Sequence, residues 1–508
     1  MLFNSYEFIL VFLPAVLWAY YQLGKTAIPQ LSIALLIGAS LFFYAWWNPA
    51  YLTLLVASML INYAFGIALS RKPKRLYLTL GVTINLVALG YYKYSNFFID
   101  NLNVIANTNF HLEQVILPLA ISFFTFQQIA FLVDAYKNEA HEYQFLDYCL
   151  FVSFFPQLIA GPIVHHKEMM PQFQSFPAKN INYENLSTGL AIFIIGLAKK
   201  VLIADNLAPY ANETFAAAGN GVSLSFLEAW KGAFAYTFQL YFDFSGYSDM
   251  AIGLALMFGI RLPINFNSPY KATNIIEFWR CWHMTLSRFL RDYIYFPLGG
   301  NRHGQIRRYT NLLITMLLGG LWHGAAWTFV FWGFLHGIFL AVNHAWHAIQ
   351  RKIIFKNNNK SLLGPNLSRA ITFVAIVIAW VFFRADSFET AINMLTGMAG
   401  LNGIVLPEVW ASNLGKISNL LITIGIQFGE VTYFKGLRDI TIIAILLFVV
   451  WSFPNSSEIV SRKDIKKRKA VKFLYWKPSL IWAIFCSISL WLIILKLSAV
   501  SDFLYFQF

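Results

Sequence analysis

QLYFDFSGYSDM (239–250), FNSPYKATNIIEFWRCWHMTLSRFLRDYIYFPLGGNRHG (266–304) and NLLITMLLGGLWHGAAWTFVFWGFLHGIFLAVNH (311–344) decide the fold. The stretch is dominated by apolar residues, yet it holds Asp243, Asp249, Arg280, His283, Arg288, Arg291, Asp292, His323 and His336. An ionisable side chain at membrane depth costs about 2.5 kcal/mol or more, so such residues usually face a protein interior or a water-filled cavity. A chain that gathers them in one block is expected to do its chemistry there, with the remaining sequence as the wall that holds the block in lipid.

Composition supports a membrane setting. The 508 residues are 58% hydrophobic and 12% charged, whereas soluble domains carry roughly 25% charged residues. The 49 Phe and 16 Trp suit aromatic belts at two membrane interfaces. The net charge of +14 would suggest nucleic acid for a soluble protein. Here the basic residues fall in short loops between apolar runs, which argues for anionic lipid and against nucleic acid. Cys149, Cys281 and Cys486 are too scattered for a disulfide framework or a zinc spacing.

Apolar runs of span length lie at 6–23, 30–47, 51–69, 76–93 and 115–133, then at 146–160 and 188–204. A long run at 224–260 has room for two spans. A pair follows inside 309–347, then runs at 368–384, 438–453 and 476–498. The expected fold is all-α: a multi-pass membrane protein with about 11 transmembrane helices plus re-entrant segments around a polar interior. It reads as one membrane-embedded domain over 1–508, with a catalytic core at about 120–347, C-terminal helices at 366–498 and an external tail at 499–508. Run 6–23 is too long and too aromatic for a signal-peptide core and reads as the first span. Basic loops at 71–75, 302–308, 351–360 and 461–472 are expected in the cytoplasm. That places both termini and the 101–114 loop outside. Linker 399–436 contains no convincing span and is expected to lie on the outer interface.

His323, in GGLWHGAAW, is flanked by Gly319, Gly320 and Gly324, which permit close backbone approach or a helix break. A neutral interior imidazole can take a proton from a hydroxyl, as a general base does; the plainer alternative is a satisfied core histidine. If 278–293 is one helix, Arg280, His283, Ser287 and Arg291 share a face suited to an anionic or acyl-bearing ligand. Otherwise it is an interfacial helix whose arginines meet headgroups. Cys281 would not face His283 on such a helix, which counts against a Cys/His nucleophile. Asp243 and Asp249 are expected to pair with Arg280 or Arg288, with Gln239 in the same network. His165 and His166 follow a bend. His344 and His347 share a helical face but have no carboxylate or cysteine at ligand spacing, so no metal is expected.

The strings FFPQLIAGPIV, QLYFDFSGYSDMAIGLALMFGI, NFNSPY, EFWRCWHMTLSRFLRDYIY, LGGNR and LLGGLWHG resemble the membrane-bound O-acyltransferase family. The chain looks most similar to the branch containing bacterial alginate O-acetylases and their peptidoglycan and teichoic-acid acylation relatives. That resemblance implies His323 as the membrane histidine and His283 as the second polar residue. It also implies a bacterial inner-membrane enzyme that moves an acetyl group from a cytoplasmic thioester, acetyl-CoA, toward a hydroxyl of an envelope polysaccharide. No bound cofactor is implied; an external O-acetyltransferase partner is. A transporter or channel for an acyl group or lipid-linked sugar is the competing reading. The ending SDFLYFQF is similar to the FxYFxF motif of small partners in teichoic-acid D-alanylation, whose tyrosine accepts the acyl group in transit. Tyr505 is thus a candidate relay, with a plain aromatic anchor as the alternative.

Overall fold

A computed structural model describes the chain apart from residues 27, 29, 114, 140–143, 175–180, 355–363, 461–473, 498–502 and 505–508. It is a helical membrane protein. Four helices among the described residues are long and apolar enough to cross a bilayer: Ala50–Arg71, Tyr183–Gly219, Trp327–Gln350 and Pro365–Arg384. Shorter apolar helices occupy Glu7–Leu23, Gln30–Ala45 and Leu480–Lys496. The whole basic loop at 461–472 and Tyr505 lie outside the described residues.

The centre of the molecule is one unbroken helix, Phe226–Met257, of 32 residues. This corrects the expectation that 224–260 has room for two spans. Ser225 and Glu228 cap its start reciprocally, satisfying donors that open a helix without partners. None of its glycines breaks it, because they serve close packing. A Cβ on Gly253 would lie 2.5 Å from the Gly189 carbonyl, and one on Gly196 would lie 2.6 Å from the Gly246 carbonyl. Both helices thus carry glycines seven residues apart at one crossing, the small-residue contact by which helices approach in lipid.

That approach sets the charges. Just past Gly196, the π-type turn Ala198–Ala204 presents two consecutive lysines to the central helix. Lys199 pairs with Asp249 at 2.6 Å, and Lys200 pairs with Asp243 at 2.7 Å and with Asp205 at 2.8 Å. The expected arginine partners are therefore wrong. Arg280 is exposed, Arg288 donates to Glu168 at 2.8 Å, and the exposed Arg291 binds its neighbour Asp292 at 2.7 Å. Gln239 Oε1 has no hydrogen-bond partner among the described residues, and none of the hydrogen bonds of this network involves Gln239 there.

Linker 399–436 contains two short parallel strands, Ile404–Pro407 and Ile426–Gly429, a pairing the sequence reading did not anticipate. The central helix holds this segment: Lys231 donates to the Tyr433 carbonyl at 2.7 Å, and Glu228 accepts the Tyr433 N–H at 2.9 Å.

Candidate active site

The segment expected as one helix over 278–293 is two short helices, Ile275–Cys281 and Met284–Leu290, broken at His283. Arg280, His283, Ser287 and Arg291 do not form the shared face. The reason lies 18 residues upstream. The extended segment before Asn267 runs along the break and takes up its loose backbone groups: Asn267 N–H donates to the Cys281 carbonyl, and Met284 N–H donates to the Asn265 carbonyl, each at 2.9 Å. His283 itself has φ +41°, a conformation uncommon outside glycine.

Asn265 also fixes the histidine. Its Oδ1 accepts from Thr285 N–H at 3.3 Å and from the Thr285 hydroxyl at 2.9 Å, while its Nδ2 donates to Ser248 Oγ at 3.2 Å. A backbone N–H can only donate, so the facing atom must be the amide oxygen. His283 Nδ1, 3.0 Å from that oxygen, must then carry a hydrogen, leaving Nε2 as the basic nitrogen. Phe244 meets the imidazole edge-on at 4.8 Å between ring centres. His283 is 0% exposed.

His323 ends the helix Gly304–His323, and extended Gly324 (φ −162°) leads away from it toward the helix Trp327–Ile354. The break anticipated from the glycines is real. Gly320 and Gly333 let these helices touch, since a Cβ on either would meet the other's backbone at 3.1–3.2 Å. The His323 ring is 6.5 Å from that of His283, 5.1 Å from Trp332 and 5.2 Å from Phe383. It also lines a cavity of about 260 Å³ together with Lys93, Ser122 and Trp322. The far wall is held by Tyr44 and Tyr51, whose hydroxyls donate to the Leu119 and Ile116 carbonyls at 2.9 and 3.0 Å.

The structure thus brings His323 and His283 together and sets Asp243 and Asp249 apart in their own lysine cluster. The tail reaches that cluster: Leu504 N–H donates to Asp243 Oδ2 at 3.1 Å, and the buried Phe503 ring lies 4.7 Å from Lys200 Nζ. Three features escaped the sequence reading. Asn265 sat inside the quoted NFNSPY without being singled out, and Lys93 closed an apolar run. His165 and Tyr293 both contact Asp134, the tyrosine hydroxyl donating to Oδ2 at 2.9 Å and His165 Nδ1 lying 3.9 Å from it. His336 Nδ1 accepts from Trp279 Nε1 at 3.2 Å, and His344 contacts Arg308 at 2.9 Å.

Buried, paired histidines beside a cavity inside a helical membrane protein suit a membrane-embedded group-transfer enzyme. Residues 92–384 match the membrane-bound O-acyltransferase family, and the chain belongs to that family: it is an acyltransferase. It is 46% identical over 495 residues to the peptidoglycan O-acetyltransferase of Helicobacter pylori, covering 90% of each chain. It is 41% identical over 425 residues to the probable alginate O-acetylase of Pseudomonas aeruginosa, covering 82% of this chain and 78% of that one. It is 29% identical over 284 residues to the teichoic acid D-alanyltransferase of Streptococcus thermophilus, covering 52% of this chain and 68% of the relative. Membrane O-acetylation is the activity these relatives support.

Proposed function

We propose that this protein transfers an acetyl group from acetyl-CoA on the cytoplasmic side to a hydroxyl destined for a cell-envelope polysaccharide, with His323 as general base. The observation that carries this reading is a cavity-lining histidine 6.5 Å from a second histidine whose tautomer is fixed. An acceptor hydroxyl beside His323 loses its proton to the imidazole as its oxygen attacks the thioester carbonyl. The C–O bond forms, the C–S bond breaks, and the proton passes to the departing thiolate. His283, held by Asn265, orients the reacting groups through its Nε2.

The membrane setting follows from the same reading: a bacterial inner-membrane bundle crossing about 11 times, with basic loops inside and both termini outside. With 302–308 in the cytoplasm, the 20 residues of Gly304–His323 rise about 30 Å, which carries His323 toward the external side. Tyr505 is proposed as a carrier that receives the acetyl group before an external partner enzyme moves it to sugar. Its neighbour Leu504, bonded to Asp243 in the core, supports a tail that docks inward. The substrates of the related peptidoglycan and alginate acetylases favour one of these polysaccharides as the acceptor class.

His323→Ala tests the reading in cells. The acetyl content of the envelope polysaccharide should fall to background while the protein accumulates normally. A normally expressed variant with unchanged acetylation would favour the transporter reading.

A further inference from the structure

Lys93 lies in the cavity wall with His323, and the mechanism above leaves it unused. Its ammonium donates to the Trp322 carbonyl at 2.5 Å, the Ser122 hydroxyl at 3.2 Å and the His323 carbonyl at 3.4 Å. It also stands 5.7 Å from the Trp322 ring centre. These are dipoles and a π face, which satisfy its hydrogen atoms without bringing a counter-charge. None of the ion pairs among the described residues involves Lys93. The half-buried Lys199 and the buried Lys200, by contrast, are matched by carboxylates. The helix Ile121–Tyr136 also begins in this wall, and its N-terminus adds the positive end of a helix dipole. In its ammonium form Lys93 therefore makes the cavity beside His323 electropositive, with no carboxylate of the chain to neutralise it among the described residues.

We propose that Lys93 is a catalytic residue that stabilises the oxyanion of the acyl transfer at His323; this rests on the acyl-transfer reading above. When the hydroxyl oxygen attacks, the carbonyl π pair moves onto the carbonyl oxygen, and that oxygen gains its charge against the Lys93 ammonium. Collapse returns the pair to the carbonyl, breaks the C–S bond and lets the thiolate take the proton from His323; the ammonium is unchanged throughout. A fixed cation in a water-poor site acts where charge develops in the transition state.

The competing role is a helix cap, because Lys93 donates to the last carbonyls of the helix that carries His323. Charge and capping separate in Lys93→Gln, which keeps a donor and loses the charge. Thiol release from acetyl-CoA is measured for the purified full chain and for Lys93→Met, Lys93→Gln and Lys93→Arg. Both neutral variants should lose about 100-fold or more in kcat with KM within about twofold, and Lys93→Arg should retain at least about tenfold more activity than Lys93→Met. Near-normal rates in Lys93→Gln would assign the residue to capping and overturn the proposal. A loss confined to KM would mean that Lys93 binds a substrate anion, and loss of the folded protein in all three variants would make it structural. A wild-type protein that releases no thiol removes the acyl-transfer reading itself. An active wild type with unaffected variants removes only the role of Lys93.

Discussion

Two regions of the molecule hold lysines in its interior, and they treat them in opposite ways. In the cluster of Lys199, Lys200, Asp205, Asp243 and Asp249, each cation faces a carboxylate within 2.6–2.8 Å. Lys200 and Asp243 are each 1% exposed. In the cavity, Lys93 faces carbonyls, a hydroxyl and a tryptophan ring. A buried pair closes a structure, because removing one partner strands the other in low dielectric. An uncompensated cation beside an open cavity leaves work for whatever enters. The difference separates residues that hold the bundle from residues that meet the substrate.

The largest effect should come from the closed region. Lys200→Met strands Asp243 and should destabilise the protein by about 3–5 kcal/mol, seen as a large drop in thermal midpoint in detergent. Lys93→Met strands no carboxylate among the described residues and should lower that midpoint much less, by no more than the loss of its cap to the Trp322 and His323 carbonyls. Equal drops in the two variants would break the comparison. The double variant Lys200→Met/Asp243→Leu should recover much of the lost stability, since a buried pair replaced by apolar residues is often neutral.

Asn265→Ala comes next. It leaves Thr285 N–H and His283 Nδ1–H without their buried acceptor, at a cost of about 1–3 kcal/mol for each donor left unmet. Acetyl transfer should fall further than stability does, because His283 loses its fixed tautomer. Full activity in this variant would show that the clamp does not matter to the chemistry.

The smallest effect belongs to the rim. Burial pushes the Glu168 carboxyl up, but the Arg288 guanidinium more than offsets this and holds it below its usual value. A depressed folded value stabilises the protein above the ordinary carboxylate pKa of about 4.3, and the contribution is lost as pH falls through that value toward the folded one. With the side chains 27% and 35% exposed, screening limits the effect to at most about 1 kcal/mol. Arg288→Met should flatten the stability curve between about pH 5 and pH 3; an unchanged slope would show that the pair contributes nothing.

Legibility in the sequence follows the range of the interactions involved. The break at His323 was readable because its cause, glycines at 319, 320 and 324, is local. The pairing of Gly304–His323 with the helix that follows was readable for the same reason. The break at His283 was hidden, because helical spacing over 278–293 is intact and the clamp sits at Asn265. Lys199 and Lys200, inside the run 188–204, and Lys93, closing the run 76–93, were not singled out. Their roles depend on the glycine crossing of two helices and on a wall built from residues 116–123. The branch resemblance, carried by motifs dense between 120 and 345, agrees with the family match over 92–384.

The most direct test of His323 as general base is single-turnover thiol release from acetyl-CoA by purified His323→Ala and wild-type protein with matched thermal midpoints. The expected result is a fall in rate of about 10²–10⁴-fold, the range ascribed to a positioned general base. A rate within about twofold of wild type would contradict the claim and return His323 to the packing of the core.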